Sequence, residues 1–431
     1  MKKTAIALCM LSPITYVNAG VLDFLTESNH KFGLKNFYDN VQSGRNDRTG
    51  KSDIFNWVQS ASYDFDSVYV DDHYGFNLGL LAVEPLDYGK IFFAKSIAQV
   101  KVDDKGQRSA EGFNKVTEAF LKQKFTMDDN INVNLYEGLR VLKNFGAVSR
   151  EGSVTSSAYY GITAEVTAKK WDMKVGYLTE YSSPNDSDTE ELLTKDNKPI
   201  DFIYTIAAGY NNDGESFQYY IGEGQDYLRS QSFGYSKKLT GKKVSAKLVY
   251  VDALSKYKAL SDQNRYFDDN AYIAEIKTDF FLSSGIFSLG YAYVSAKRES
   301  SLGRFENNLS NNSYGEDSNL ASGLTKDFYN DQENVLLASY FHRYSQEIRL
   351  GLIARYGFNF EYKGQDLYEY ELGGAIFYTP TSVPGLELSL KGGPNSSFRR
   401  GRSDNTPYLD SNGKTNNFDG TTVMAKISYD F

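Results

Sequence analysis

The chain has 431 residues, and 47 lysines and arginines against 55 aspartates and glutamates give it a formal charge of −8. A single cysteine excludes a disulfide scaffold, and the acidic balance lacks the basic surface that nucleic-acid binding requires. Beyond the N-terminal segment, no run reaches the roughly 18 apolar residues of a membrane helix, which excludes a helical membrane bundle. The length suits two or three soluble domains or one large closed barrel.

The first segment, residues 1–19, is typical of a secretory signal peptide. A charged Met-Lys-Lys start precedes an apolar run from Ala5 to Leu11, and a small-residue cleavage site ends at Ala19. We therefore predict cleavage after Ala19, which leaves residues 20–431 as one structural unit.

The rest of the chain alternates apolar and polar residues, which is the pattern of strands with two different faces. The apolar faces begin and end in tyrosine or phenylalanine, as in the aromatic girdles of membrane barrels. The pattern predicts eighteen strands, near residues 31–40, 54–65, 75–83, 115–126, 131–142, 158–168, 171–180, 201–210, 215–222, 230–239, 244–252, 270–281, 286–296, 334–344, 347–360, 367–378, 386–392 and 421–431. The window 90–101 would break the rhythm of the connections as a further strand, so we place it in a loop.

Short and long connections alternate between the predicted strands. Tight links such as 211–214 and 282–285 contain Asn, Asp, Ser and Gly, several of which tolerate hairpin backbone angles. The long, polar links include 84–114, 181–200, 297–333 and 393–420. This layout is typical of an outer-membrane barrel, in which closure pairs every backbone group at membrane depth. The sequence therefore predicts an all-β, transmembrane antiparallel β-barrel of eighteen strands, with short periplasmic turns and long extracellular loops.

Such a barrel would lie in the outer membrane of a Gram-negative bacterium, against lipid and lipopolysaccharide, and would enclose a water-filled lumen. The expected partners are small hydrophilic solutes, with no nucleic acid, and a homotrimer is one assembly to be tested. The residues give no reason to expect a metal or another cofactor.

Several short stretches carry a resemblance to a known family. They are GITAE at 161–165, KVGYLTE at 174–180, NDSD at 185–188, VPGL at 383–386 and the pair Ser149-Arg150. In these stretches, and in strand count and loop rhythm, the chain resembles the porin D (OprD) family of substrate-specific outer-membrane channels, which includes chitoporins. The resemblance implies an eighteen-stranded barrel that is narrowed by inward-folded loops and lined on one side by a ladder of arginines, and it makes Arg150 a candidate pore residue.

Strand parity predicts which charges face the lumen. With Leu350 and Leu352 on the lipid face, Arg349 and Arg355 point inward, roughly 20 Å apart along one strand. The same reasoning turns Lys426 of the last strand inward. The candidate solute-contacting residues are Arg150, Arg343, Arg349, Arg355, Lys391, Arg399, Arg400 and Arg402, with the inward acids Glu369 and Glu371. For the two glutamates we expect pairing with nearby basic side chains.

A row of arginines can hold carboxylates weakly, because the planar fork of arginine recognises a carboxylate and stays charged. The sequence therefore predicts passive, partly selective diffusion of amino acids, carboxylates or small peptides. A chitooligosaccharide-type porin stays open, as do a barrel-type outer-membrane enzyme and an adhesin from different classes. Scattered charges that only keep the lumen wet are the simplest interpretation. For an enzyme, the three histidines offer no base beside an obvious nucleophile.

Overall fold

The computed structural model describes residues 24–42, 54–89, 97–128, 130–150, 152–316, 318–399 and 406–431. The predicted signal peptide at 1–19, with Arg400 and Arg402, lies outside the described residues. In chain order the strands are β1 (Asn29–Val41), β2 (Ile54–Asp66), β3 (Tyr74–Tyr88), β4 (Gln99–Val102), β5 (Arg108–Glu111), β6 (Phe113–Asp128), β7 (Ile131–Arg140), β8 (Ala158–Ala168), β9 (Trp171–Ser182), β10 (Thr189–Leu193), β11 (Pro199–Ile200), β12 (Ile203–Asn212), β13 (Glu215–Gly224), β14 (Leu228–Leu239), β15 (Lys242–Ala253), β16 (Asn270–Leu282), β17 (Gly285–Ser295), β18 (Asn334–Arg343), β19 (Ile348–Tyr362), β20 (Gln365–Tyr378), β21 (Leu386–Phe398) and β22 (Asn417–Asp430). The short helical segments are a single turn at 24–27, Ser255–Lys258 and Asp262–Asn264.

Eighteen of these strands form one closed antiparallel barrel, which confirms the predicted fold. Each wall strand pairs with its neighbours in the chain, and β1 closes the barrel against β22, where Gly33 lies opposite Asp430. The remaining strands are short pieces of the connections: β4 and β5 form a separate hairpin, and β10 pairs with β11 beyond the end of β9. The described part of the window 90–101 thus lies outside the wall, as predicted.

The strands extend further at the extracellular end than the alternation indicates. β3 reaches Tyr88 and β21 reaches Phe398, whereas the sequence pattern ends near residues 83 and 392. The added part of β21 contains Gly, Pro, Asn and Ser and shows no apolar alternation. It still pairs with β22, up to Phe398 opposite Asn417, because antiparallel pairing uses backbone groups.

The predicted difference between tight turns and long loops holds, with two exceptions. At the extracellular end, β13 and β14 are joined by residues 225–227 alone, and β19 and β20 by residues 363–364. Lys363 and Gly364 both have positive φ, 51° and 73°, which is the backbone of a two-residue hairpin turn.

Successive residues of the wall strands point alternately outward and inward. On β19, Leu352 is 67% exposed on the outer face, whereas the next residue, Ile353, packs against the internal core. The outer face of other strands is likewise apolar and exposed, for example at Leu336, Leu372 and Ile427. Such a band matches the hydrocarbon layer of a membrane.

The described residues contain no helix long and apolar enough to cross a membrane.

The long loop over residues 296–333, here called the inner loop, folds into the barrel. Its Phe305, Leu309 and Phe328 are buried in the main hydrophobic cluster, together with wall residues such as Ile203 and Val335. The loop over 141–157 joins it, since the Ser149 N–H donates to the Tyr314 carbonyl at 2.9 Å. The core of the molecule therefore lies inside the barrel, between inner loop and wall, and narrows the lumen.

Candidate functional site: the lumen lining

Arg355 and Glu371 fasten the inner loop to the wall. Arg355 donates from Nη1 to Glu371 Oε1 at 3.1 Å and from Nε to the Leu320 carbonyl at 3.0 Å. The two carboxylate oxygens of Glu371 also accept the N–H groups of Leu324 and Thr325, at 2.9 and 2.7 Å. The side chains of Arg355 and Glu371 are only 11% and 3% exposed. This pair is therefore engaged with the protein rather than with the water of the lumen.

Further charged contacts hold the inner loop at two sides of the barrel. On one side, Lys326 lies 3.6 Å from Glu369 of β20, and both side chains are buried. On the other side, Glu316 forms an ion pair of 3.0 Å with Lys247 of β15, and the Ser318 hydroxyl donates to Glu275 of β16. The loop thus bridges β15–β16 and β20 through neutralised charges.

A second group of cations faces the lumen without such partners. We call Arg349, Lys391, Lys426 and Lys35, on β19, β21, β22 and β1, the basic row. Leu350 is exposed on the outer face, so Arg349 points inward, and Leu390 gives the same direction for Lys391. Within the described ranges, Arg349, Lys391 and Lys426 have no carboxylate within ion-pair distance.

Contacts with one aromatic ring and mutual charge repulsion indicate that the members of the basic row lie near one another. The guanidinium of Arg349 lies 4.4 Å from the centre of the Phe377 ring, and Lys391 Nζ lies 5.4 Å from the same ring. The charge of Lys391 interacts with those of Arg349 and Lys426. Lys35 interacts with Lys426 and donates to the Val154 carbonyl at 3.2 Å, so the row ends beside the loop over 141–157.

The other sequence-predicted residues lie at the ends of this surface. Arg343 is exposed at the end of β18, directly opposite Arg349 in the strand register. Arg150 donates to Ser156 Oγ at 3.0 Å, and its charge interacts with that of Lys35. Arg399 follows β21, with its guanidinium 5.8 Å from the Phe418 ring centre. The structure thus brings Arg343, Arg349 and Lys391 together and separates them from the buried Arg355.

Sequence reasoning missed part of the charged lining. Lys247 lies on a wall strand, and its parity could have identified it. Lys326 and Glu316 belong to the inner loop, where no periodicity fixes a direction. On β7, Arg140 was likewise missed, and it forms an ion pair of 2.6 Å with Glu165 of β8, which strand parity does turn inward. Among the described residues, no cluster of three or more His, Cys, Asp and Glu side chains could hold a metal ion.

The inner loop separates two water-accessible spaces. A cavity of about 360 Å³ lies on its extracellular side, lined by residues that include Arg150, Lys195 and Arg304. A second cavity, of about 300 Å³, lies towards the periplasmic turns and is lined by residues that include Lys247 and Asp279. A solute would meet the extracellular cavity before the narrowed part of the lumen.

Comparison with known proteins bears on this architecture. No protein-family model and no curated protein sequence matches the chain. Solved structures do match it. OccAB4 of Acinetobacter baumannii aligns with a TM-score of 0.69 and 16% identity over 94% of this chain and 98% of that chain. OccK9 (OpdG) of Pseudomonas aeruginosa aligns with a TM-score of 0.71 and 14% identity over 95% and 99%.

A third match is OpdK of Pseudomonas aeruginosa in a structure with vanillate, with a TM-score of 0.70 and 15% identity over 95% of this chain and 99% of that chain. The protein has the OprD-type barrel fold. This finding confirms the fold that the sequence resemblance implied. At these identities the OprD-type likeness extends to the architecture, and the lumen chemistry has to come from the residues of this chain.

Proposed function

We propose that the protein is an outer-membrane porin for the passive, partly selective diffusion of small hydrophilic solutes, with a preference for solutes that carry a carboxylate. The basic row carries this proposal, because Arg349, Lys391 and Lys426 face the lumen and meet no carboxylate among the residues described. The OpdK barrel, which has the same fold, was crystallised with vanillate, itself a carboxylate.

The spacing of the row suits passage rather than capture. Each cation attracts a carboxylate, and the next cation lies one or two strands further along the wall, so a solute can exchange partners. The Phe377 ring between Arg349 and Lys391 offers an apolar surface for the rest of the solute. In this proposal Arg343 and Arg399 extend the basic row. Arg150 contacts the solute on the extracellular side, before the solute reaches the row.

Arg355, Glu369 and Glu371 have a different role in the proposal. Their charges are neutralised by one another or by the inner loop, and they are almost fully buried. A buried, paired charge exerts little attraction on a passing anion, so these residues maintain the width of the lumen. Export with removal of residues 1–19 belongs to the same proposal. A homotrimer stays a prediction, which the mass of the detergent-solubilised particle would test.

The test compares two variants that each lose three positive charges. The first is Arg349→Gln/Lys391→Gln/Lys426→Gln. The control, Lys101→Gln/Lys105→Gln/Lys363→Gln, removes charges from the connections outside the wall. Purified protein in planar bilayers should give discrete conductance steps, and the reversal potential in a salt gradient reports ion selectivity. Proteoliposome swelling with lactate and with glycerol, which have three carbons each, reports solute preference.

We expect the first variant to lose about fivefold in anion over cation permeability, since one charge at contact distance in water is worth roughly 1 kcal/mol. Lactate uptake should fall while glycerol uptake is unchanged, and the control should resemble the wild type. An unchanged reversal potential would leave a nonselective pore. A complete lack of conductance steps would favour the enzyme or adhesin, and chitooligosaccharide uptake in the same assay would favour the sugar porin.

A further inference from the structure

Polar side chains interrupt the apolar outer face of the barrel on four neighbouring strands. The outer polar patch, as we call it, consists of Asn36 of β1, Gln59 of β2, Glu84 of β3 and Asn114 of β6. Gln59 is exposed and shares the face of Trp57, which is 41% exposed. Glu84 is exposed and shares the face of Leu80, also 41% exposed. The outer polar patch therefore faces lipid, whereas the basic row faces the lumen.

The outer polar patch lies inside the apolar band, close to its extracellular edge. On the outer face of β1, Asn36 is flanked by Tyr38 above and Leu34 below. On β2, Gln59 lies two residues below Trp57. Aromatic side chains of this kind mark the membrane interface, and two residues of a strand span about 7 Å. The polar groups are thus at the depth where the acyl chains of the outer leaflet begin.

Most hydrogen-bonding groups of the outer polar patch have no protein partner. Asn36 Oδ1 accepts the Trp57 Nε1–H at 3.0 Å. The side chains of Gln59, Glu84 and Asn114 form no hydrogen bond or ion pair with another described residue. A polar group in hydrocarbon costs free energy unless it is hydrogen-bonded, and a charged group costs most. A lipid that forms hydrogen bonds at this depth would remove the cost.

Small side chains leave a groove directly below these polar groups. Ala61 and Ala82 lie opposite each other in the strand register, next to Gln59 and Glu84 on the outer face. The groove has a volume of about 730 Å³ and extends from Tyr429 of β22 to β6. Since it faces the hydrocarbon layer, it can accommodate acyl chains whose upper ends meet the outer polar patch.

Glu84 determines which kind of lipid fits. An ionised carboxylate only accepts hydrogen bonds. The ester groups of phospholipids also only accept, so they would leave Glu84 unsatisfied. Acyl chains that are attached through an amide and carry a hydroxyl group offer N–H and O–H donors at the same depth. Lipid A, the membrane anchor of lipopolysaccharide, contains several such chains side by side.

The direction of the outer polar patch favours a lipid over a second barrel. Asn36 lies opposite Gln59, and Gln59 lies opposite Glu84, so the patch runs around the wall across the strands. Four neighbouring strands cover about 14 Å of the circumference. Two convex barrels meet along lines parallel to their axes, whereas a lipid with several chains can follow a curved wall.

We propose that the outer polar patch and the groove below it form a binding site for lipid A. Glu84 accepts hydrogen bonds from the amide and hydroxyl groups of the acyl chains, and the amides of Gln59 and Asn114 pair with the remaining polar groups. The chains occupy the groove over Ala61 and Ala82. This site lies outside the lumen and does not depend on which solute passes, so it can fail or hold independently of the proposed function.

The experiment uses Trp57 as a reporter, because it lies beside the outer polar patch and the chain has only one other tryptophan, Trp171. The full protein with Trp171→Phe is reconstituted in vesicles of brominated phosphatidylcholine, which quenches the fluorescence of a tryptophan that it contacts. A lipid that displaces phosphatidylcholine from the site restores the fluorescence. The lipids added are lipid A, sphingomyelin and cardiolipin.

These lipids separate hydrogen-bond donors from charge. Sphingomyelin has the headgroup of phosphatidylcholine but adds an amide and a hydroxyl, and cardiolipin has two phosphates but only ester-linked chains. We expect lipid A to bind beside Trp57 about fivefold more tightly than phosphatidylcholine, since one net hydrogen bond is worth this much. Sphingomyelin should also be preferred, and cardiolipin should not. Equal preference for cardiolipin and lipid A would overturn recognition through donors.

The chain supplies two internal controls. Trp57→Phe leaves Trp171 as the reporter at the periplasmic end of β9, where no lipid should be preferred. The variant Gln59→Leu/Glu84→Leu, in the Trp171→Phe protein, should lose the preference for lipid A. Both substitutions place leucine against lipid, and the circular dichroism of β-structure checks the fold.

The matched control is Gln231→Leu/Thr278→Leu, which removes two polar side chains from the outer face of β14 and β16. It should keep the preference for lipid A. A preference that survives Gln59→Leu/Glu84→Leu would overturn the site, as would a wild-type protein that prefers no lipid. Weak quenching of Trp57 that increases in Gln59→Leu/Glu84→Leu would show that a second barrel covers the outer polar patch, and it would contradict the proposal.

Discussion

Arg349 and Arg355 lie six positions apart on the same inward face of β19, but their surroundings are opposite. Arg355 is buried, contacts Glu371 and holds the inner loop through the Leu320 carbonyl. Arg349 is exposed to the lumen and lies over the Phe377 ring. The inner loop covers the wall at one position and not at the other. The role of a lumen arginine is therefore set by what covers it, and strand parity alone does not reveal that.

As a physical consequence, Arg355 and Arg349 should have different roles although they lie on the same strand. Breaking a buried pair leaves an uncompensated charge at low dielectric, which is strongly destabilising. Removing an exposed cation has little effect on stability, because water already screens it. Stability should therefore depend on Arg355 and ion selectivity on Arg349.

The largest expected effect is that of Arg355→Met. The change leaves the Glu371 charge buried with only backbone N–H donors, so the free energy of unfolding should fall by about 3 kcal/mol. Arg349→Met, the matched variant on the same strand, should change it by less than about 1 kcal/mol. Denaturant unfolding of protein reconstituted in lipid vesicles, followed by tryptophan fluorescence, measures both. Equal losses of unfolding free energy in the two variants would contradict the difference between the two arginines.

A second prediction tests whether the inner loop also packs tightly against β13, on another side of the barrel. A Cβ on Gly224 would lie 1.8 Å from the Leu309 carbonyl oxygen, so Gly224→Ala must displace the loop backbone. We expect a loss of about 1–2 kcal/mol, as for other overpacked sites. On the next strand, a Cβ on Gly234 would be 3.7 Å from its nearest neighbour, so Gly234→Ala should be nearly neutral.

The two glycine variants can be compared in the same unfolding assay, together with single-channel recordings. Displacement of the inner loop should make the current of Gly224→Ala noisier than that of Gly234→Ala. Equal stability and equal current noise in the two variants would mean that the loop backbone at Leu309 can move without loss of stability.

The wall could be predicted from the sequence because each strand has two chemically different faces. Leu350 and Leu352 meet lipid, and that alone places Arg349 on the inner face. The ends of the strands could not be predicted, because residues such as Pro394 and Asn395 continue the pairing without any apolar pattern. Pairing beyond the membrane depends on backbone groups, which carry no sequence signal.

From its own residues the inner loop could be predicted only as a long polar connection, and the expectation that loops fold inward came from the family resemblance alone. Its Phe305, Leu309 and Phe328 have no regular spacing, so nothing in the sequence indicates that they are buried against the wall. The contacts of Arg355 and Glu371 with this loop were beyond prediction for the same reason. Lys195 and Arg304 line the same cavity only because separate loops fold over the lumen, and residues in loops have no parity from which to infer a direction.

The smallest effect is expected at the periplasmic base of β19, close to Arg349. Glu347 accepts hydrogen bonds from the Thr381 hydroxyl at 2.6 Å and the Thr381 N–H at 2.8 Å. These bonds favour the ionised carboxylate and hold the pKa of Glu347 below its ordinary value. They link the turn before β19 to the turn before β21, and both turns lie in water. Because water screens these contacts, we expect them to stabilise the periplasmic end only weakly, where the inner loop does not cover the wall.

The sign of the pH dependence follows from the lowered pKa. The contribution is complete above the unfolded-state pKa of about 4.3 and disappears as the pH falls through the folded-state value. The denaturant midpoint of Glu347→Gln should therefore lie slightly below that of the wild type at pH 7, and the two should converge as the pH falls through the folded-state pKa of Glu347. A difference in denaturant midpoint that persists in acid would show that the geometry of the turn, rather than the charge of Glu347, stabilises this end. Charge would then not explain why β19 is less firmly held near Arg349 than near Arg355.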